Sequence, residues 1–164
     1  MSVGRFICGV GAQIRARDGR YLLLRRSADK DYAPGVWESV TGRVEQGEGF
    51  EEALHREVRE EIGVAIEDAL VIGTTHFYRG APRPENELLG LVFLCTIADP
   101  DAICIEAEHA EARWLTAAQA MALLDAQDAS TAWTRRVIER AEALSKLVLA
   151  EQVDFFRRHG FELG

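Results

Sequence analysis

The stretch GRVEQGEGFEEALHREVREEIGV, residues 42–64, decides how the rest of the chain is read. From Phe50 onward the apolar residues recur at helical spacing, and Gly63 stands where a left-handed C-cap ends a helix, so a helix is predicted over 50–62. Advancing about 100° per residue places Ala53, Leu54, Val58 and Ile62 on one broad apolar face. Glu57 and Glu61 fall in the middle of that face, and Glu60 lies on its flank. Glu52, His55, Arg56 and Arg59 project from the opposite side. A solvated acidic surface would not put glutamates among the leucines. An ionised carboxylate buried without a partner is strongly unfavourable, and adjacent ones repel each other as well. A hard divalent cation, Mg²⁺ or Mn²⁺, resolves the conflict, because carboxylates at i, i+3 and i+4 converge on one side of a helix. Ahead of the helix, Gly42, Gly47 and Gly49 punctuate a loop in which backbone can approach a ligand closely.

Upstream of this stretch, FICGVGAQIRA and RYLLLRR flank an Asp18-Gly19 turn signal and read as a β-hairpin. A polar loop over 27–35 and a short extended segment over 37–40 follow. Downstream, ALVIGTTHFYRG and LLGLVFLCTIAD read as strands separated by APRPENE, whose two prolines forbid regular pairing. EARWLT reads as a further strand, and its Thr116 is a fair N-cap for a helix beginning at Ala117. Residues 132–158 carry an amphipathic pattern for a final helix with room for one break, which could cap the core or mediate a homodimer. Strands interrupted by helices predict an α/β sandwich, and 164 residues with 48% apolar composition suit one domain over 1–164, with a helical region over about 117–158.

The formal charge of −8 argues against nucleic acid as partner, since such binding draws on basic groups that neutralise phosphates. A small anionic ligand would need local basic residues or bound cations. No apolar run is long enough for a membrane span, and the N-terminal residues lack the order of a signal peptide, which predicts a cytoplasmic protein without membrane partners. Cys8, Cys95 and Cys104 lie in or beside apolar segments without CxxC spacing and read as reduced core or near-core thiols.

Taken together, Gly42, Glu48, Arg56, Glu57, Val58, Glu60, Glu61, Gly63 and Val64 stand at the spacing Gly-x5-Glu-x7-Arg-Glu-apolar-x-Glu-Glu-x-Gly-apolar. The stretch resembles the Nudix box, and the likeness in element order spans roughly residues 5 to 125. The resemblance implies the Nudix fold, an α/β/α sandwich with a mixed β-sheet, here with an additional C-terminal helix. It implies Mg²⁺- or Mn²⁺-dependent hydrolysis of a nucleoside diphosphate linked to another group. Carried over by position, Glu57, Glu60 and Glu61 would be metal ligands, completed by a main-chain carbonyl near Thr41 or Gly42. Arg56 would hold a box glutamate in place, and Glu48 would assist through a salt bridge or through water. A general base outside the box would be Glu108 first, then Glu111, Glu106 or Glu87, with His109 and His76 as weaker candidates.

For substrate, the resemblance points to Arg25 or Arg26 at the end of the second strand as a phosphate or base contact. WESVTGRVEQGE is similar to the dihydroneopterin-triphosphate and nucleoside-triphosphate branch more than to the ADP-ribose form. Trp37, Tyr78, Phe77 and Trp114 are the aromatic candidates to stack on a base, and Arg83 in APRPENE could close over the ligand. The expected partner is a small nucleotide-like molecule. The rivals are a nucleotide-sensing Nudix module, which usually loses box glutamates, a hydrolase of ADP-ribose or nucleotide sugars, an isopentenyl-diphosphate isomerase relying on cysteine, and an RNA-end pyrophosphohydrolase disfavoured by the acidic charge.

Overall fold

The computed structural model describes residues 4–30 and 32–164; residues 1–3, where the N-terminal stretch begins, and Asp31 of the polar loop lie outside the described residues. Seven strands form one mixed sheet: β1 (Ile7–Arg15), β2 (Tyr21–Arg26), β3 (Trp37–Glu38), β4 (Val40–Arg43), β5 (Ile66–Tyr78), β6 (Glu87–Ile97) and β7 (His109–Leu115). The helices are α1 (Phe50–Ile62), α2 (Ala117–Leu123), α3 (Ala129–Leu144) and α4 (Ala150–His159). This is the expected α/β fold. Among the described residues no helix is long and apolar enough to cross a membrane.

The expected β1–β2 hairpin is present only at its turn. Arg15 pairs with Tyr21, closed by the Ala16 N–H to Arg20 carbonyl bond of 2.8 Å and by Gly19 at φ +91°, after which the strands part. β1 then takes β4 antiparallel, from Gly9 opposite Arg43 to Ala12 opposite Val40, and β6 parallel on its other edge. β2 pairs instead with β3 and β7. Gln13 is the hinge of this split. Fully buried, it donates from Nε2 to the Leu22 carbonyl (2.9 Å) and accepts from Ser39 Oγ (2.8 Å), so its amide stands in for ladder bonds that the diverging backbones cannot make.

Apolar residues fill both faces. Val10, Ala12 and Ile14 of β1 pack with Ala53, Leu54, Val58 and Ile62 of α1. Tyr21, Leu23, Ile72 and Val92 pack with α2 and α3 through Ala120, Leu124, Val137, Ile138 and Ala141. Helix α2 is capped as expected by Thr116, which exchanges bonds with Gln119, while α3, capped by Asp128, begins three residues before the predicted start. The predicted final helix is two helices. α3 belongs to one face of the sheet, whereas Phe161, just after α4, packs into the cluster on the other face, and a continuous helix cannot make that crossing.

That crossing brings the tail onto α1. Gly49, the residue before α1, offers no capping side chain, and the Phe50 N–H donates to Glu162 Oε1 at 2.8 Å. Gly63 ends α1 in the left-handed conformation (φ 72°) and donates to the Arg59 carbonyl, as expected. Of the cysteines, Cys95 is buried and Cys8 half-buried as expected of near-core thiols, but Cys104 is exposed beside Gly63, because its segment crosses the surface at the end of α1.

Replacing Gln13 with leucine would leave the Leu22 carbonyl and the Ser39 hydroxyl without partners in a dry site. A stability loss of about 1–3 kcal/mol in urea or guanidinium unfolding is expected; an unchanged midpoint would contradict the role given to this amide.

Candidate active site

Where the sheet splits, β4 lies beside α1, and the box residues meet there. Arg56, expected on the outer side of α1, turns inward along the helix. Its Nε and Nη2 donate to Glu48 (2.7 and 2.9 Å), Nη1 donates to Glu57 (2.8 Å) and Glu60 (3.0 Å), and Nη2 also reaches the Arg43 carbonyl (2.8 Å). One cation thus ties the loop, the helix and β4 together, the reason being that its fork carries five N–H donors. The Glu57 carboxylate also accepts from the Arg43 N–H at 3.1 Å, and a Cβ at position 42 would overlap it, so any larger residue there would push the carboxylate from this position.

The carboxylates feel different surroundings. Hydrogen bonds from Arg56, then the Glu45 N–H, lower Glu48 to about 2. Burial raises Glu57, with Arg56 opposing that shift. Glu61 is raised well above the usual carboxylate range, first by burial and then by the negative charges of Glu38 and Glu57. Among the described residues its Oε2 is buried without a hydrogen-bond partner, with His109 Nε2 3.7 Å away. Glu60 is exposed.

A cleft of about 1160 Å³ opens over these groups, and Glu57, Glu60, Glu61, Thr41 and Gly42 all line it. A divalent cation fits the donor set: the ligands are all oxygens, and a positive charge is what the unpartnered Glu61 oxygen lacks. Among the described residues no three His, Cys, Asp or Glu side chains stand together as ligands, and the Arg56 guanidinium bridges Glu57 and Glu60.

The other expected residues divide. Arg26 and Tyr78 line the cleft, Arg26 ion-paired with Glu38 at 2.9 Å. Arg25, Trp37 and Arg83 do not. Arg25 alternates to the opposite side of β2 from Arg26 and bonds the Gly35 carbonyl, Trp37 lies under the Arg113 guanidinium at 4.8 Å, and Arg83 is exposed on the β5–β6 connection. Phe77 lines the cleft, while Trp114 packs into the α1-side cluster. Glu108 and Glu106 are on the cleft, Glu108 lowered chiefly by its hydrogen bond from Lys30 (2.7 Å), which makes it a poorer proton acceptor. Glu111 faces Arg113 (2.6 Å) and Glu87 pairs with His76 (2.9 Å), neither of them on the cleft, although His76 is. His109 is buried behind the cleft, 3.3 Å from Glu38.

Several cleft residues were not anticipated. Glu38 sits among apolar residues in GVWESV, a charge out of place that could have been noticed as Glu57 was. Trp133, Arg136 and Arg140 enter from α3, where their i, i+3, i+7 spacing marks one helix face.

Residues 6–140 match the NUDIX domain family. The chain belongs to that family. The match runs through most of α3, beyond the likeness visible in the sequence. This Nudix hydrolase is 35% identical over 108 residues to the nucleoside triphosphatase NudI of Salmonella agona (strain SL483), covering 60% of this chain and 74% of that one. Its fold is similar to the MutT protein of Methanosarcina mazei Go1 (TM-score 0.70, 26% identity, 89% of this chain and 99% of that one). It is also similar to the E. coli dihydroneopterin triphosphate pyrophosphohydrolase (TM-score 0.61, 28% identity, 85% and 97%).

The Arg56–Glu48 pair makes a pH prediction for the Nudix hydrolase. A carboxylate depressed in the folded protein contributes stability that is fully present above its ordinary value of 4.5 and is lost as pH falls toward about 2. Glu48→Gln should therefore melt below wild type at neutral pH, with the gap in Tm narrowing between pH 4.5 and 2. A gap that stays constant across that window would refute the assignment.

Proposed function

We propose that this Nudix hydrolase is a Mg²⁺- or Mn²⁺-dependent pyrophosphohydrolase of nucleoside triphosphates or closely related compounds such as dihydroneopterin triphosphate. The observation that carries the reading is the buried, unpartnered oxygen of Glu61 beside Glu57 and Glu60, a carboxylate cluster poised for a cation on the wall of a nucleotide-sized cleft. The names of the two relatives, a nucleoside triphosphatase and a dihydroneopterin triphosphate pyrophosphohydrolase, support triphosphates as the substrate class.

Glu57, Glu60 and Glu61, with the Thr41 or Gly42 carbonyl, would hold the cation. When bound, it supplies neutralisation of diphosphate charge and acidification of water. The protein's own groups do the rest. Arg56 fixes the direction of Glu57 and is itself anchored by Glu48, so it acts as a positioning residue. Arg43 and Arg59 line the cleft without an ion pair among the described residues and are available to phosphate oxygens. Outside α1, the carboxylates on the cleft are Glu38, which Arg26 holds, and Glu106 and Glu108, which are the candidate proton acceptors. None of the three cysteines lines the cleft, so the cysteine on which the isomerase reading depends is not in place.

Purified protein incubated with nucleoside triphosphates and dihydroneopterin triphosphate should release pyrophosphate and the monophosphate when Mg²⁺ or Mn²⁺ is present and should stop on chelation. Arg56→Gln is expected to lower kcat/KM by about 10- to 100-fold, and Glu57→Gln by more. Turnover that survives chelation or the Glu57→Gln change would defeat the metal site. Tight nucleotide binding without turnover would favour a sensor instead.

A further inference from the structure

The α3 wall of the cleft has a chemistry unlike the acidic end. Trp133, Arg136 and Arg140 lie along one face of α3 and all line the cavity, whereas no acidic residue of α3 does. The indole is fixed. Its Nε1 donates to Thr75 Oγ1 at 3.0 Å, and its ring edge passes over β1 at Gly11, where a Cβ would lie only 3.3 Å from Cη2. Gly11 is opposite Thr41 in the β1–β4 ladder, so this aromatic wall stands one strand away from the main chain beside the carboxylates. Arg136 is exposed and has no ion pair or hydrogen bond among the described residues. Among the described residues Arg140 reaches only the Ile72 carbonyl, at a long 3.4 Å, leaving most of its donors unused.

A held aromatic surface flanked by two guanidinium groups is suited to a flat heteroaromatic ring. The indole can stack on the ring face. Guanidinium carries donors and no acceptor, so it matches a ring edge that offers acceptors, as the O6 and N7 of guanine do for arginine. An edge bearing an exocyclic amine would present donor to donor. We propose that Trp133, Arg136 and Arg140 form the ring-recognition subsite of the cleft and select rings that carry a carbonyl where adenine and cytosine carry their exocyclic amine (guanine, uracil, thymine or a pterin-type ring) over adenine and cytosine. This rests on the reading of the cleft as a triphosphate site, which it makes specific.

The test compares GTP, UTP, ATP and CTP in two measurements. In steady-state hydrolysis, GTP and UTP should show kcat/KM roughly tenfold or more above ATP and CTP. Arg136→Gln, a change at an exposed side chain with no partner to lose, should bring that ratio toward one mainly by raising KM for GTP and UTP. Trp133→Leu should raise KM for all four with little change in kcat, and Trp133→Phe should recover much of the loss. Binding is read separately, by isothermal titration into the Glu57→Gln protein, where no turnover is needed. Ring preference in binding without hydrolysis by wild type would defeat the hydrolase reading and keep the subsite. Equal handling of the four rings by wild type, or a ratio that Arg136→Gln leaves unchanged, would overturn the subsite while hydrolysis itself stands.

Discussion

A single guanidinium organises the chemistry of this protein. Without Arg56, Glu48, Glu57 and Glu60 would face one another with no cation between them, and the Arg43 carbonyl would lose its donor. Its five hydrogen bonds join the glycine loop, α1 and β4, so the loop's path, the helix's rotation and the position of the Thr41–Gly42 backbone are set together. Partial burial of such a charge is offset because its donors are all matched. Glu61 is the exception in the neighbourhood: among the described residues its Oε2 is buried without a hydrogen-bond partner, which sets it apart from the carboxylates that Arg56 holds.

The second constraint is the splitting of the sheet. β1 and β2 leave their shared turn in different directions, and Gln13 fills the gap with side-chain bonds to Leu22 and Ser39. The split frees one edge of β1 for β4, and β4 carries Thr41 and Gly42 onto the cleft next to α1. With α1 on one face of the sheet and α3 on the other, a cleft at this divergence collects residues from both layers. Neither layer alone would enclose a nucleotide.

Legibility in the sequence followed the range of the interactions. Helix α1 and its charge pattern were readable because 3.6-residue periodicity is local, and Gly63 and Thr116 because caps act over a single turn. The direction of Arg56 was misjudged from a helical projection, since a long side chain can lie along its helix and bond groups that its Cβ does not face. Arg25 was a candidate contact because it stands at a strand end and Trp37 because its ring could stack on a base, yet the pairing of β2 with β7 puts Arg113 over the indole and Glu111 beside Arg25. Trp133, Arg136 and Arg140 escaped notice for the converse reason. Nothing local tells that α3 returns across the sheet to a site built some 80 residues earlier, a separation that only the tertiary fold closes.

The contact between Glu162 and the start of α1 has a consequence for the order in which the molecule is made. The N–H of Phe50 obtains its carboxylate from a residue 112 positions later in the chain, and the strand beside α1, β1, obtains its parallel partner β6 only after the β5–β6 connection has emerged. Contacts of such long sequence separation form late, because the intervening loop must be closed before they contribute. During synthesis the glutamate-bearing helix would thus stay uncapped while the rest of the sheet is already being translated. A nascent chain arrested before Glu162 would carry the whole 42–64 stretch while the first N–H of its helix still lacks the carboxylate that receives it.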